Sequence, residues 1–145
     1  MGYYINCAGM DVFIPRKFFP KLAKAINKFN KDQNPTEPKV TLEPGQEQDD
    51  QIKNAFEHNV WSVTIDAKGL TGEGWNGDQK SGDWVDDWNK AIAPFTTHGN
   101  YLEITGEEDD DRSKIKFLCG QAVCFYGQLV VDYHDTGYFR IAQAR

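Results

Sequence analysis

The stretch KIKFLCGQAVCFY, residues 114–126, decides what kind of fold this chain makes. Its residues alternate with period two, as on a strand: Ile115, Phe117 and Cys119 point to one side, and Lys114, Lys116 and Leu118 to the other. Gly120-Gln121 reads as a two-residue turn, glycine supplying the positive φ of a type II′ hairpin. That register sets Cys119 opposite Ala122, Leu118 opposite Val123 and Phe117 opposite Cys124. One face then carries Ile115, Phe117, Cys119, Ala122, Cys124 and Tyr126, and the other Lys116, Leu118, Val123 and Phe125. Both faces are apolar near the turn, so each must be covered. Working outward, Tyr101–Thr105, Leu129–Tyr133 and Tyr138–Ala142 repeat the pattern. With Lys114–Cys119 and Ala122–Tyr126 they predict a C-terminal meander of five strands. The expected class is α+β, a largely antiparallel sheet with two or three packed helices.

Upstream, Tyr3–Ala8 reads as a strand that Val12–Ile14 extends or pairs with. A helix is predicted over Phe19–Lys31, with Pro20 in its first turn, where the missing N–H costs little. Phe19, Leu22, Ile26 and Phe29 form its apolar stripe. The proline-broken segment from Asp32 to Gln48 reads as a long loop with an extended piece at Lys39–Leu42. Asp49 or Asp50 caps a short helix to about His58, with Ile52, Ala55 and Phe56 turned inward. Val60–Asp66 reads as a strand and Lys68–Gly82 as a second, glycine-rich loop. A third helix, Trp84–Ala93, ends before Pro94. The whole, residues 1–145, is expected to be one domain.

Composition narrows the function. An apolar fraction of 39% with 13% aromatic residues is that of a globular chain. No apolar run approaches the ~20 residues of a membrane span, and no secretory leader is expected, since no basic segment precedes an apolar one. Met1-Gly2 opens a myristoylation motif, but Asn6 stands where that motif wants Ser or Thr. Three cysteines, an odd number, fit a reduced cytoplasmic chain. The net charge is −6, unevenly spread. Residues 1–40 hold seven Lys/Arg against three Asp/Glu, a balance of +4, and the remainder nine against nineteen, a balance of −10. An acidic body repels phosphate, so nucleic acid is not the expected partner.

Gly72, Gly74 and Gly77 match the letters of a dinucleotide fingerprint, but such glycines should open a helix directly, and the next helix is expected only near residue 84. No cofactor is expected there. Trp75, inside the same stretch, either folds back on the sheet or anchors a partner. Glu107, Glu108, Asp109, Asp110 and Asp111 lack the ligand spacing of a calcium loop and read as a solvated acidic hairpin tip. Cys7, Cys119, Cys124, His58, His98 and His134 contain no second ligand pair at short spacing. They are expected to bind no metal, with the cysteines as small core residues. Asp132, His134 and Asp135 could serve as an acid/base cluster, but they lie at the end of a strand entering a turn and read first as solvated turn residues. Lys17, Lys21, Lys24, Lys28 and Lys31 line one helix face. Like charges at that spacing repel by ~0.2–0.5 kcal/mol per pair, and no acid intervenes before Asp32. Such a face reads first as a solvated one, and its purity also suits an acidic partner, protein or nucleic acid.

The opening Met1-Gly2-Tyr3-Tyr4 and the strand Tyr101-Leu-Glu-Ile-Thr-Gly-Glu-Glu-Asp109 resemble a group of small uncharacterised proteins from bacteriophages and bacteria. Those often follow the acidic pair with a tryptophan, where this chain has Asp110, Asp111 and Arg112. The resemblance covers about a third of the chain. It implies a cytoplasmic accessory protein of phage type and carries no catalytic residues across. The expected function is therefore non-enzymatic protein binding, as an inhibitor or regulator of a host (defence) protein. Two surfaces are expected to meet the partner: Trp75 with Glu107–Asp111, which is favoured, and Lys17, Lys21, Lys24 and Lys28. Two alternatives stand beside this: a small-molecule or nucleotide binder using the loop at 68–82, and a small hydrolase built on His134. The oligomeric state is left open.

Overall fold

The sheet is built outward from one long strand. In a computed structural model, which describes residues 3–80, 82, 84–107, 112–130 and 138–144, that strand is β1 (Tyr4–Pro15). On one side it pairs with β3 (Gly69–Trp75) and, at its start, with β4 (Gln79–Lys80). On the other side it pairs with β5 (Tyr101–Thr105). β2 (Trp61–Ile65) lies beyond β3, and β6 (Arg112–Leu118), β7 (Gln121–Val130) and β8 (Tyr138–Ala144) follow β5. The path is β2-β3-β1-β5-β6-β7-β8, with β4 off it, and every pairing is antiparallel. The helices α1 (Phe19–Gln33), α2 (Gln46–His58) and α3 (Trp84–Ile92) pack on one face. The class is α+β.

β1 explains why two short sequence segments, Tyr3–Ala8 and Val12–Ile14, behave as one strand. A bulge at Ala8 puts one extra residue between the pairs Cys7↔Ile104 and Gly9↔Glu103. The extra residue exchanges the faces. Ile5 and Cys7 face the core before it, and Met10, Val12 and Ile14 after it, the last two fully buried.

The β6–β7 hairpin departs from the expected register. Its turn residues are Cys119 (φ 51°) and Gly120 (φ 79°), the two positive φ values of a type I′ turn in place of II′. Phe117 therefore pairs with Ala122 and Ile115 with Cys124. The slip is of two residues, so parity is kept and Ile115, Phe117, Ala122 and Cys124 share the core face as expected. Cys119 leaves the strand and is exposed. Ala122–Tyr126 and the apolar run that starts at Leu129 belong to one strand, bent by a bulge between Tyr126 and Gly127. The C-terminal meander thus has four strands among the described residues, with β1 as the neighbour that precedes them.

Lys68–Gly82 is not a loop. Asp66 closes a tight hairpin, its Oδ1 accepting from Lys68 N at 2.8 Å and Gly69 N at 3.2 Å, and β3 follows at once between β2 and β1. Two of the glycines that suggested a loop, Gly69 and Gly72, are there for close approach, whereas a Cβ on Gly74 or Gly77 would meet nothing within 4 Å. A Cβ on Gly72 would lie 2.6 Å from Met10 Sδ and 3.1 Å from the Trp61 ring, and one on Gly69 would lie 2.2 Å from Ile14 O. α2 also begins earlier than expected, at Gln46 after Gly45.

Three edge-to-face contacts join the helical layer to the sheet. Phe29 meets Trp88 at 5.2 Å, Trp88 meets Phe56 at 5.0 Å, and Phe56 meets Trp61 at 5.5 Å between ring centroids. Arg16 locks the other end of α1. Its guanidinium makes a bidentate pair with Asp49 at 3.0 Å and donates to the Asp66 carbonyl at 2.6 Å. The hydrogen bond to Asp49 holds the Arg16 pKa above its usual value.

Candidate functional site

α1 leaves β1 through a turn of 3-10 helix at Arg16–Phe18, and Pro20 fits its N-terminal turn. Phe19, Leu22, Ala23 and Ile26 are buried, so the remaining face is fixed outward. It carries Lys17, Lys21, Lys24, Lys28 and Lys31, all exposed. Lys17 Nζ sits 5.1 Å from the Phe18 ring centroid. Among the described residues the ion pairs are Arg16–Asp49, His58–Glu37 and Lys114–Glu103, none of which involves this face. The result is a strip of uncompensated positive charge on an acidic protein.

At its C-terminal end the strip borders a cleft of about 780 Å³, between α1 and the segment 34–42. The segment has no regular structure, yet it is held in place. Val40 is buried, and the Asn27 carboxamide binds both of its backbone groups, Nδ2 donating to Val40 O at 2.9 Å and Oδ1 accepting from Val40 N at 2.7 Å. Gln51 Oε1 accepts from Thr41 N at 2.6 Å, and Gln48 Nε2 donates to Thr41 O at 3.0 Å. Three side-chain amides thus do the work of a neighbouring strand. The cleft wall is apolar at Pro35, Pro38 and Leu42, with Leu42 47% exposed. Lys28, Lys31 and Lys39 stand around it. Asn30 is 8% exposed and lines both this cleft and a second cavity of about 200 Å³ that reaches Ala55 and His58. It makes no side-chain hydrogen bond to any described residue.

The other expected surface is placed in parts. Trp75 ends β3, pairs with Trp61 and is half-buried against the core. Glu107 follows β5 on the far side of β1, exposed, its N–H donating to Tyr3 Oη at 3.0 Å. Glu108, Asp109, Asp110 and Asp111 lie outside the described residues, as do Asp132, His134 and Asp135. Gly72, Gly74 and Gly77 lie in β3 and the turn after it, and α3 begins only at Trp84.

Among the described residues no three His, Cys, Asp or Glu side chains are grouped to hold a metal ion. His98 and Cys119 do come together, Sγ lying 3.8 Å from Nδ1. That nitrogen accepts the Cys119 backbone N–H at 3.0 Å, so its lone pair is committed to holding the turn. Cys7 is half-buried, and burial pushes its thiol up to about 11. Of the cleft residues, sequence reasoning flagged only Lys28 and Lys31. The signal present was the Asn27–Asn30 spacing, which puts two amides on one helix face. No protein-family model, no curated protein and no solved structure matches this chain.

Proposed function

We propose that this protein is a non-enzymatic binding protein that receives an acidic surface of another protein on the lysine face of α1. The observation that carries the reading is the strip Lys17, Lys21, Lys24, Lys28 and Lys31, exposed, in no ion pair among the described residues and with no acid between its members, on a chain of net charge −6. Charge of one sign set against the rest of the surface steers an oppositely charged partner and fixes its orientation. The acidic remainder of the chain repels nucleic acid and leaves a protein as the partner. The resemblance to small phage and bacterial proteins extends this to a cytoplasmic inhibitor or regulator of a host protein.

Affinity capture from bacterial lysate, followed by binding measurements on the captured partner, tests the choice of surface. Replacing Lys17, Lys21, Lys24 and Lys28 by glutamine should slow association and flatten its dependence on salt. The combined change Trp75→Ala with Glu107→Gln should leave binding in place. If only the second variant loses the partner, the surface lies elsewhere and the reading of α1 is wrong.

A further inference from the structure

Asn30 is 8% exposed on the wall of an open cleft, and its carboxamide binds no other group among the described residues, so its polar atoms face the cleft. A carboxamide fixed at a cleft wall with its donor and acceptor facing solvent can exchange water for the backbone groups of a ligand at little conformational cost. One turn earlier on the same helix face, Asn27 shows what such a group does. Its carboxamide takes both the N–H and the C=O of Val40, at 2.7 and 2.9 Å, as a strand neighbour would. We infer that Asn30 does the same for an incoming chain: the cleft receives an extended, acidic segment of the partner protein, held by one of its backbone amides on the Asn30 carboxamide. The inference rests on the reading of α1 as the partner face.

The surroundings select that segment. Lys28 and Lys31 from α1 and Lys39 from the facing segment surround the opening and favour Asp and Glu side chains. Glu37, the acid in the wall, lies with Oε1 3.2 Å from His58 Nδ1, drawn toward α2. Pro35 and Pro38 lack backbone donors that would compete for the peptide, and with Leu42 they offer an apolar seat for one side chain. Among the described residues Leu42 is one of few large apolar side chains left exposed. Backbone pairing plus a single side-chain pocket is the way extended peptides are recognised at strand edges, here supplied by a helix amide.

The test uses the full chain and short fluorescein-labelled peptides of Glu and Asp around one apolar residue (Leu, Ile, Phe or Trp), with Gln/Asn versions as controls. Fluorescence anisotropy should saturate with at least one acidic peptide and not with its neutral control. Asn30→Ala should weaken that binding about tenfold, the loss expected for two neutral hydrogen bonds. Its melting temperature should hold, because no internal bond is lost. Leu42→Gln, at an exposed site, should weaken it as well, and so should N-methylation of the apolar residue of the peptide. If no peptide saturates, or if a single-stranded oligodeoxynucleotide competes through Asn30, the inference fails. If peptides bind but respond only to glutamine at Lys17, Lys21 and Lys24, the reading of α1 stands and the cleft has no part in it.

Discussion

Single atoms decide several features of this chain. Gly69 has φ 152° and Ile14 O sits where its Cβ would be, at 2.2 Å, against rigid backbone. At Gly72 the obstacles are the Met10 thioether and the Trp61 ring, and the first can move. Gly69→Ala is therefore expected to cost about 3 kcal/mol or more and Gly72→Ala about 1–2 kcal/mol, measured by urea denaturation. The cysteines separate by the same kind of detail. All three are free, Cys119 exposed in its turn and Cys7 with its thiol raised by burial to about 11. A raised pKa means the folded chain keeps the Cys7 proton. At pH 8 a disulfide reagent should label Cys119 quickly and Cys7 slowly, and all three after denaturation. Above the ordinary thiol value of 9.0 the unfolded chain ionises at Cys7 first, so this site subtracts stability as pH climbs toward 11. Equal labelling rates at Cys7 and Cys119 would refute the burial of Cys7.

At the scale of elements, the segment 34–42 is the case where local propensity says least. Its prolines mark it as irregular, and irregular it is, but Asn27, Gln48 and Gln51 hold it against α1 and α2. Asn27→Ala removes two bonds and leaves the partly buried Val40 amide unsatisfied, for a loss of about 1–3 kcal/mol. Hydrogen exchange at Val40 and Thr41 should rise far more than at the α1 core residues Leu22 and Ile26. Uniform loss of protection would show that the segment and the helix open together. The β6–β7 hairpin makes the opposite point. Alternation identified its faces correctly because the slip was of two residues, whereas the turn geometry depends on Cys119 accepting positive φ beside His98.

For the whole molecule, the helices cover the face of Ile115, Phe117, Val12 and Leu70, and the Trp88 ring joins α3 to α1 and α2. Trp88 is 1% exposed, so Trp88→Ala should cost about 3–5 kcal/mol, a large share of a marginal stability. Loss of near-ultraviolet circular dichroism before far-ultraviolet signal on mild denaturation would show the layers separating. A single coincident transition is expected. The opposite sheet face, with Lys116, Leu118, Val123 and Phe125, is half-buried, and the helices do not cover it.

The sequence alone determined the class, the existence of the helices, the buried stripe of α1, the lysine face, the strand Tyr101–Thr105 and, within a residue at each end, the strand Trp61–Ile65, because each rests on periodicity or charge within a few residues. It misjudged Lys68–Gly82, since glycine marks a loop and a site of close approach with the same letter, and only Trp61, Met10 and Ile14 distinguish them. It left Trp75 between folding back on the sheet and anchoring a partner, and the structure packs it, half-buried, against the core. Asn30 escaped notice altogether. Its surroundings depend on a segment that packs beside α1 and binds Asn27, and that leaves the next amide on that face without a partner among the described residues.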